Sequence, residues 1–417
     1  MKLRYNYRLY PDAGQRQMLA KTFGCARVVW NDALAARKAA RKAGRPFIGD
    51  AEIQRVVLTQ AKKTPERAWL AEVSSVVLQQ SVRDVNTAYR NFFDSVSGRR
   101  KGPKMGLPVL KSRHDRRQSA RFNANAFTLT GEGRLYLAKI GQVEVRWSRG
   151  GLPVAPSSVT VIKDAAGRYF ASFVIDVLDA DQLLPEVGTE VGIDLGLTHY
   201  AVLSTGEKIA NPKWLRRREK KLARLQRELS RKQKGSKNRD MARLKVARQH
   251  AEVADARRDF LHQTSTSILR ENQTVCIETL SVRGLARSRL AKAVHEVSWG
   301  AFIRLLEDKA ARRGRTLVKT GRYFPSSQLC PCCGRQTGKL PLDVREWDCP
   351  GCGEHHDRDI AAAINILTEG TRCIGISGST VAAGLAGHGI NDCGGQVRPG
   401  AANPTLAPPA THAVQAA

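Results

Sequence analysis

The chain has 417 residues, of which 42% are hydrophobic, and its 69 Lys and Arg residues against 38 Asp and Glu residues give a formal net charge of +31. That apolar fraction supports packed cores in roughly two to three domains and excludes a globally disordered chain. A positive surplus of this size favours nucleic acid as the partner, because a polyanion neutralises it. No run of about 18 apolar residues predicts a membrane span, and the amino terminus lacks the apolar stretch of a signal peptide. We therefore expect a cytoplasmic protein without a membrane partner.

The amino-terminal part combines strand and helix patterns. Residues 2–10 alternate large apolar and polar side chains, which predicts a strand that ends at Pro11. From about 15 to 93, apolar residues recur every three or four positions, which predicts a helical lobe of several segments. Short β-type runs follow between about 119 and 176. With the first strand they could close a small barrel, and the helical lobe would then be an insertion in a β domain.

The remainder predicts an α/β layer structure and a basic hairpin. After Pro185 the buried-strand patterns EVGIDLGL, THYAVLST and TVCIETL alternate with helices. Two amphipathic stretches within about 212–269 predict an antiparallel helical hairpin, in which Lys213–His250 holds 16 Lys and Arg residues against 3 acids. The alternative is an ordinary solvated helix face. Such a face is stabilised by salt bridges along the helix, which require both acidic and basic residues. From about 371 the chain is rich in Ala, Gly and Pro, which predicts a disordered tail.

Three acids stand in contexts that make a carboxylate costly unless it binds a cation. Asp194 lies in the apolar run VGIDLGL, Glu278 ends VCIETL, and Asp359 opens the helix pattern AAAINIL. Singly, a strand acid could be a satisfied hydrogen-bond acceptor, and Asp359 could be a helix cap. Together they predict phosphodiester hydrolysis with two divalent ions about 4 Å apart, held by carboxylates. Mg²⁺ is the expected ion because it prefers oxygen ligands, with Mn²⁺ as a substitute.

The nine cysteines are unevenly placed, which indicates a metal site. Cys330 and Cys333 form one C-x-x-C pair, and Cys349 and Cys352 form a second pair fifteen residues later, each with an adjacent glycine. Two such pairs predict a zinc ribbon whose four thiolates hold one structural Zn²⁺ and take no part in catalysis. A redox C-x-x-C is the alternative, which the second matched pair disfavours. Cys332 is spare.

Taken in order, GIDLG, IETL, the ribbon SSQLCPCCG with WDCPGCG, and HDRDIAAAINIL resemble the TnpB family of transposon-encoded RNA-guided DNA endonucleases, regarded as ancestral to type V CRISPR effectors. The resemblance covers nearly the whole chain and implies a multidomain α+β fold. It implies a wedge β-barrel over 1–10 and 105–184, a helical recognition lobe over 11–104, an RNase H-like (RuvC) nuclease domain over 185–325 and 354–370 that contains the basic hairpin, a zinc-ribbon target-nucleic-acid-binding insertion over 326–353, and a disordered tail over 371–417.

The same resemblance implies that Asp194, Glu278 and Asp359 are the catalytic residues and the Mg²⁺ ligands. It implies a guide RNA from the transposon end, recognition of a short motif beside the target, and cleavage of double-stranded DNA at the nucleoid of a prokaryote. We favour one protein per RNA. In one departure, Ala361 stands where the family has Asn, a residue expected to orient the aspartate or a phosphate. This change is expected to affect the efficiency of DNA cleavage more than its mechanism. Asp357 could also bind the metal.

Contacts with nucleic acid are predicted on several surfaces. Glutamine amides on a helix can read adenine edges, although solvent exposure explains Gln79 or Gln80 equally well. Basic side chains in the loop after the helical lobe and on the hairpin can position phosphates. Tyr323 could stack on a base, with core packing as the alternative. The full set of candidates is Gln79, Gln80, Arg99, Arg100, Lys101, Lys104, Arg216, Arg217, Arg218, Lys220, Lys221 and Tyr323.

Three other functions remain open. An RNA-guided DNA-binding protein with weak or no cleavage would agree with the change at Ala361. A miniature type V CRISPR effector would have the same residues as a transposon protein. A DNA strand transferase is the third, and nothing in the sequence requires it.

Overall fold

A computed structural model describes residues 1–148, 150–341, 343–378, 389–390 and 396–397. The chain divides into two compact units, one formed by Met1–Leu178 with Leu225–Ala251 and the other by Asp179–Arg224 with the chain from Glu252 onward. Both contain helices and strands, so the protein belongs to the multidomain α+β class. Among the described residues, no helix has the length and apolarity needed to cross a membrane.

The first unit is built on an antiparallel sheet of seven strands in the order β2-β6-β7-β1-β5-β4-β3. β2 and β3 stand at opposite ends of this order, although only Ala124–Ala126 separate them in sequence, so the sheet must curl back on itself. The described pairings do not join β2 to β3, and the predicted closed barrel is therefore an open half-barrel. The short segment Ala124–Ala126 connects the two ends of the sheet, where a closed barrel would have hydrogen bonds between β2 and β3. The strands are β1 Lys2–Tyr10, β2 Gln118–Asn123, β3 Phe127–Leu129, β4 Leu135–Leu137, β5 Gly141–Arg146, β6 Ser158–Lys163 and β7 Tyr169–Asp176.

Three α-helices of the first unit lie between β1 and β2: α1 Ala13–Lys42, α2 Asp50–Gln54 and α3 Ser75–Val96. Asp12 begins α1 with a capping box that includes Gln15. Phe23 of α1 and Val77 of α3 belong to the same core as Phe173 of the sheet. The predicted boundary after residue 10 therefore separates segments that share one core.

The second unit contains a five-stranded sheet in the order β10-β9-β8-β11-β12, with β8, β11 and β12 parallel and β9 antiparallel to β8. On one face, Val191, Ile193, Val275 and Ile277 pack in a core with Phe302. The strands are β8 Glu190–Asp194, β9 His199–Leu203, β10 Lys208–Ala210, β11 Thr274–Ile277 and β12 Thr316–Lys319. The helices after β10 are α4 Trp214–Ser230, α5 Lys237–Glu271, α6 Val282–Leu285, α7 Ala291–Val297, α8 Trp299–Arg313 and α9 Arg358–Gly378, and α4 and α5 run through both units.

Two elements cross the domain boundaries expected at residues 353 and 370. β13 Glu346–Asp348 pairs with β14 His355–Asp357, so this strand pair continues four residues beyond the boundary expected at 353. Helix α9 continues eight residues past the domain boundary expected at 370, because its apolar spacing continues to Ile374, which packs against the cluster of Cys276 and Val318. Of the predicted tail, only this helical end and the short antiparallel pair β15 Gly389–Ile390 and β16 Gln396–Val397 are among the described residues.

Candidate active site and zinc ribbon

Two of the predicted acids lie at the ends of adjacent parallel strands. Ile193 of β8 is in register with Ile277 of β11, so Asp194 and Glu278, one residue later on each strand, reach the same edge of the sheet. Asp194 is the last residue of β8 and not, as predicted, a residue of the strand interior. The backbone amide of Leu195 donates a hydrogen bond to Glu278 Oε1 at 3.4 Å, which joins the two strand ends.

Helix α9 brings the third acid to this edge by packing very closely on β8. Side chains two residues apart share a face of a strand, so Gly192 and Asp194 both face away from the core of Val191 and Ile193. A Cβ atom on Gly192 would lie only 2.0 Å from the carbonyl oxygen of Ala363 in α9. The glycine therefore lets the helix backbone contact the sheet, and Asp359 in the first turn of α9 comes near Asp194.

The same contact recurs one strand away. Cys276 and Glu278 share the face of β11 that α9 covers, by the same alternation. A Cβ atom on Gly370 of α9 would lie 2.3 Å from the sulfur of Cys276. Two glycines, one on the sheet and one on the helix, thus set the distance between α9 and the strands that carry the acids.

The electrostatics of the site are those of a carboxylate cluster short of positive charge. The pKa of Asp194 is raised to about 7, mainly by burial and also by the charge of Asp359, with Arg358 opposing the rise. The pKa of Glu278 is raised to about 8, mainly by burial and also by the charge of Asp194, with the hydrogen bond from the Leu195 amide opposing the rise. Without a bound cation, both acids therefore retain protons near neutral pH.

The donor set fits divalent cations that prefer oxygen. Within the part of the chain that the structure describes, Asp194 and Glu278 form no ion pair, and carboxylate oxygens are the ligands that such cations prefer. The described groups whose ligand atoms all lie within 4.8 Å of one another consist only of cysteines and His356. The ligand atoms of Asp194, Glu278 and Asp359 therefore do not all lie within this distance of one another.

Asp357, which the sequence analysis allowed a share of the metal, has a different place in the structure. Its Oδ1 accepts hydrogen bonds from the backbone amides of Asp359 and Ile360, both at 3.0 Å, so it caps α9. Its other oxygen pairs with Lys208. Burial raises the pKa of Asp357, but the hydrogen bonds from Lys208 and the helix amides outweigh burial and lower it. The cap considered for Asp359 is therefore supplied by Asp357.

Sequence reasoning missed Arg345, which stands beside the acids. Its Nη1 lies 3.4 Å from Asp359 Oδ1, and its carbonyl accepts a hydrogen bond from the Arg358 amide at 2.8 Å. Arg345 directly precedes β13, between the two cysteine pairs, where its local sequence carries no sign of a contact with an acid. Only the pairing of β13 with β14 brings it back to the start of α9.

The four predicted cysteines are gathered at one point. Their sulfurs lie within 4.8 Å of one another, with 3.6 Å between Cys330 and Cys352 and 3.6 Å between Cys333 and Cys349. A disulfide would need about 2.0 Å, whereas a tetrahedron with Zn–S bonds of about 2.3 Å has edges of about 3.8 Å. The donor set and spacing therefore fit one Zn²⁺.

Two equivalent turns shape the thiol site. The amide of Gly334 donates to the carbonyl of Cys330 at 2.9 Å, and the amide of Gly353 donates to the carbonyl of Cys349 at 2.8 Å. Both glycines have positive φ angles, 71° and 75°, which other residues adopt with strain. Buried His356 lies beside the site, with Nε2 3.2 Å from Cys330 Sγ, and forms a second possible ligand group with Cys330 and spare Cys332.

The predicted nucleic-acid contacts differ in exposure. Gln80 is 6% exposed because it shares the buried face of α3 with Val77, so it cannot read bases from this position, whereas Gln79 is exposed. Arg218 is half-buried and lies 3.9 Å from Glu252. Arg99, which pairs with Asp94, is exposed, as are Arg100, Lys101, Lys104, Arg216, Arg217, Lys220, Lys221 and Tyr323.

Fold and site together define a two-unit α+β protein with a carboxylate cluster and a four-cysteine ribbon in one unit. Three family models match: one described as "Probable transposase" over residues 172–289, one described as "Cas12f1-like, TNB domain" over 299–366, and one described as "Helix-turn-helix domain" over 1–46. In the last range the structure has strand β1 and one helix of 30 residues, α1.

The curated relatives carry a consistent description. A protein of Streptomyces pristinaespiralis, named "Putative RNA-guided DNA endonuclease", is 46% identical over 89% of this chain and 90% of its own length. InsQ of Escherichia coli K12, with the same description, is 28% identical over 95% of each chain. The chain belongs to the TnpB family. A solved complex of Cas12f1 with guide RNA and target DNA covers 88% of this chain and 99% of its own at 13% identity, but its TM-score of 0.32 is too low to support an argument.

Proposed function

We propose that this protein is an RNA-guided DNA endonuclease. The observation that carries the proposal is the convergence of Asp194, Glu278 and Asp359 at one edge of the five-stranded sheet, in a chain with a net charge of +31. A strongly basic protein holds polyanions, but a buried cluster of acids within it needs cations of its own. In this proposal the sheet with α9 is the RNase H-like (RuvC) nuclease domain.

The acids would hold two Mg²⁺ ions, with Mn²⁺ as a substitute. When bound, these ions activate water and stabilise the leaving oxygen of a phosphodiester. The protein's contribution is position: the strand ends fix Asp194 and Glu278, and the Asp357 cap fixes the first turn of α9. Arg345 holds Asp359 through its guanidinium, a group that also suits a DNA phosphate.

The ribbon and the basic surfaces would hold the nucleic acids. One Zn²⁺ on Cys330, Cys333, Cys349 and Cys352 would stabilise a target-binding insertion. The exposed basic residues of α4 and of the loop after α3 would contact the phosphates of guide RNA and target DNA. A guide RNA from the transposon end would supply sequence specificity, and the protein would recognise a short motif beside the target. We propose one protein per RNA, acting on nucleoid DNA in the cytoplasm.

The test is cleavage by the purified complex. The full chain is expressed with its flanking DNA, the RNA that co-purifies is sequenced, and a duplex matching its guide segment is incubated with the complex in Mg²⁺. We expect cleavage of the matched duplex, with Asp194→Ala abolishing cleavage while RNA and DNA binding remain. Asp181→Ala, an exposed acid of the same unit, is the matched control. Cleavage that persists in Asp194→Ala would refute the assignment of the site.

A second function is favoured by Ala361. This side chain is 4% exposed and lies one turn above the helix start that carries Asp359. If the Asn expected there is needed to orient the acid, the protein would be an RNA-guided DNA-binding protein with weak cleavage. Tight, guide-dependent binding without product after long incubation would identify it. Genomic neighbours distinguish a transposon protein from a miniature CRISPR effector.

A further inference from the structure

An aromatic side chain is highly exposed to solvent in the turn that follows β12, the strand that pairs with β11. Among the described residues, Tyr323 has the most exposed large apolar side chain, with 88% of its surface accessible. A tyrosine at this exposure gains nothing from packing, which excludes core packing as its role here. An isolated exposed apolar residue needs no explanation by itself, so its setting must decide whether it has a function.

A hydrogen-bonded turn holds Tyr323 outward. The amide of Phe324 donates to the carbonyl of Gly321 at 3.1 Å, which makes Arg322 and Tyr323 the two central residues of a β-turn. Arg322 Nη2 donates to Ser281 Oγ at 2.8 Å, and its guanidinium carbon lies 5.7 Å from the centre of the Tyr323 ring. The cation is thus anchored, and the tyrosine ring lies beside it.

The turn that contains Tyr323 follows β12, which pairs with β11, the strand that ends just before Glu278. Ile277 of β11 is in register with Lys319 of β12, and the Thr320 amide donates to the Ile277 carbonyl at 2.9 Å. Thr279 Oγ1 donates to the Thr320 carbonyl at 2.7 Å. Three residues from Thr320 to Tyr323 span at most about 10 Å of extended chain. The exposed ring is therefore within a few nucleotides' length of the acids.

We propose that Arg322 and Tyr323 form a stacking platform for an unpaired base of the DNA strand that is being cut. The inference rests on the proposed nuclease function. Aromatic rings bind the faces of bases without sequence preference, and an adjacent guanidinium adds attraction for a base or phosphate. A DNA strand is favoured over the guide RNA because whatever strand lies on this platform is presented to the carboxylates. The platform would hold the bound DNA strand in a fixed position beside Asp194 and Glu278.

The test is a direct reading of stacking. The full chain with its co-purified RNA carries Asp194→Ala to prevent cleavage and is titrated into a short oligo-dT that contains one 2-aminopurine, whose fluorescence falls when the base stacks. We expect quenching with Tyr323 and with Tyr323→Phe, and its loss with Tyr323→Ala. Alanine should also weaken the stacking interaction roughly five- to a hundredfold. Tyr136→Ala, an exposed tyrosine of the other unit, is the matched control.

Cleavage assays complete the design. With an intact Asp194, Tyr323→Ala should slow single-turnover cleavage of matched DNA without reducing the amount of RNA bound. Equal quenching in Tyr323→Ala and the parent would overturn the platform. So would a Tyr323-dependent signal that appears when 2-aminopurine is placed in the guide RNA and not in the DNA. A parent complex that never cleaves matched DNA but shows Tyr323-dependent quenching of DNA contradicts the proposed function, and it supports the stacking of a DNA base on Tyr323 without the role in cleavage.

Discussion

Gly192→Ala tests whether the contact between α9 and β8 sets the geometry of the carboxylates. The added Cβ would lie 2.0 Å from the Ala363 carbonyl oxygen, 2.7 Å from the Leu367 amide nitrogen and 2.9 Å from Leu367 Cβ. Two of these atoms belong to the helix backbone, which cannot turn aside as a side chain can. The helix must therefore move away from the sheet.

The size of the movement follows from these distances. Ordinary contacts begin at 3.4 Å, so α9 must shift by about 1.4 Å at Ala363. Asp359 is one helical turn from Ala363 and should move by a similar amount, because α9 moves as a rigid element. A misplacement of about 1 Å can reduce a catalysed rate roughly 100-fold. Overpacking of this kind costs about 1–3 kcal/mol of folding stability, which lowers the melting temperature by several degrees.

The assay compares single-turnover cleavage and melting temperature in the same preparations. We expect Gly192→Ala to stay folded and bind RNA while cleavage falls roughly 100-fold. Gly188→Ala is the matched control, because nothing lies within 4 Å of a Cβ added there. Cleavage by Gly192→Ala close to that of Gly188→Ala would refute the claim that this glycine positions the acids.

The site leads to four further predictions. Because the pKa values of Asp194 and Glu278 are raised to about 7 and 8 without metal, protons compete with cations for these carboxylates. The Mg²⁺ concentration needed for cleavage should therefore rise as pH falls from about 8.5 to 6.5. A Mg²⁺ requirement that stays the same over this pH range would contradict the prediction. The same raised pKa values mean that the folded, metal-free protein binds more protons than the unfolded chain, so its stability falls as pH rises from about 5 to 8. Asp194→Asn should therefore raise the melting temperature of the metal-free protein more at pH 8 than at pH 5. Asp357→Asn should keep the helix cap and most of the cleavage activity, whereas Asp359→Asn should abolish cleavage; equal loss in both folded variants would make Asp357 a ligand. Cys349→Ser should lose the zinc measured by elemental analysis, and Cys332→Ser should keep about one ion per chain, so equal zinc in both would place the ion elsewhere.

The site elements that the sequence makes visible are those with a local pattern. Two C-x-x-C pairs with adjacent glycines anticipate the gathered thiols, because each pair forms its own turn. Apolar runs that contain or end in an acid single out Asp194 and Glu278, although only the structure shows that β8 and β11 are parallel neighbours that end at one edge of the sheet. The alternation of side chains could also have revealed that Gly192 and Asp194 share a face, and hence that a helix approaches there.

What the sequence did not reveal depends on tertiary contacts. Gln79 and Gln80 are adjacent and chemically identical, and only the packing of α3 buries one and exposes the other. Asp357 and Asp359 both precede a helix pattern, and the choice of cap depends on where the first turn begins. Arg345 reaches Asp359 only through the pairing of β13 with β14.

The order of residues at the start of α9 links the zinc ribbon to the acids. His356 lies against Cys330, Asp357 caps the helix, and Asp359 is two residues further on, with β14 ending where α9 begins. A ribbon that unfolds would release β14 and with it both the cap and the Arg345 contact. If the four thiols hold the proposed Zn²⁺, its removal should therefore impair cleavage by displacing Asp359, and not through any chemistry of the thiols themselves.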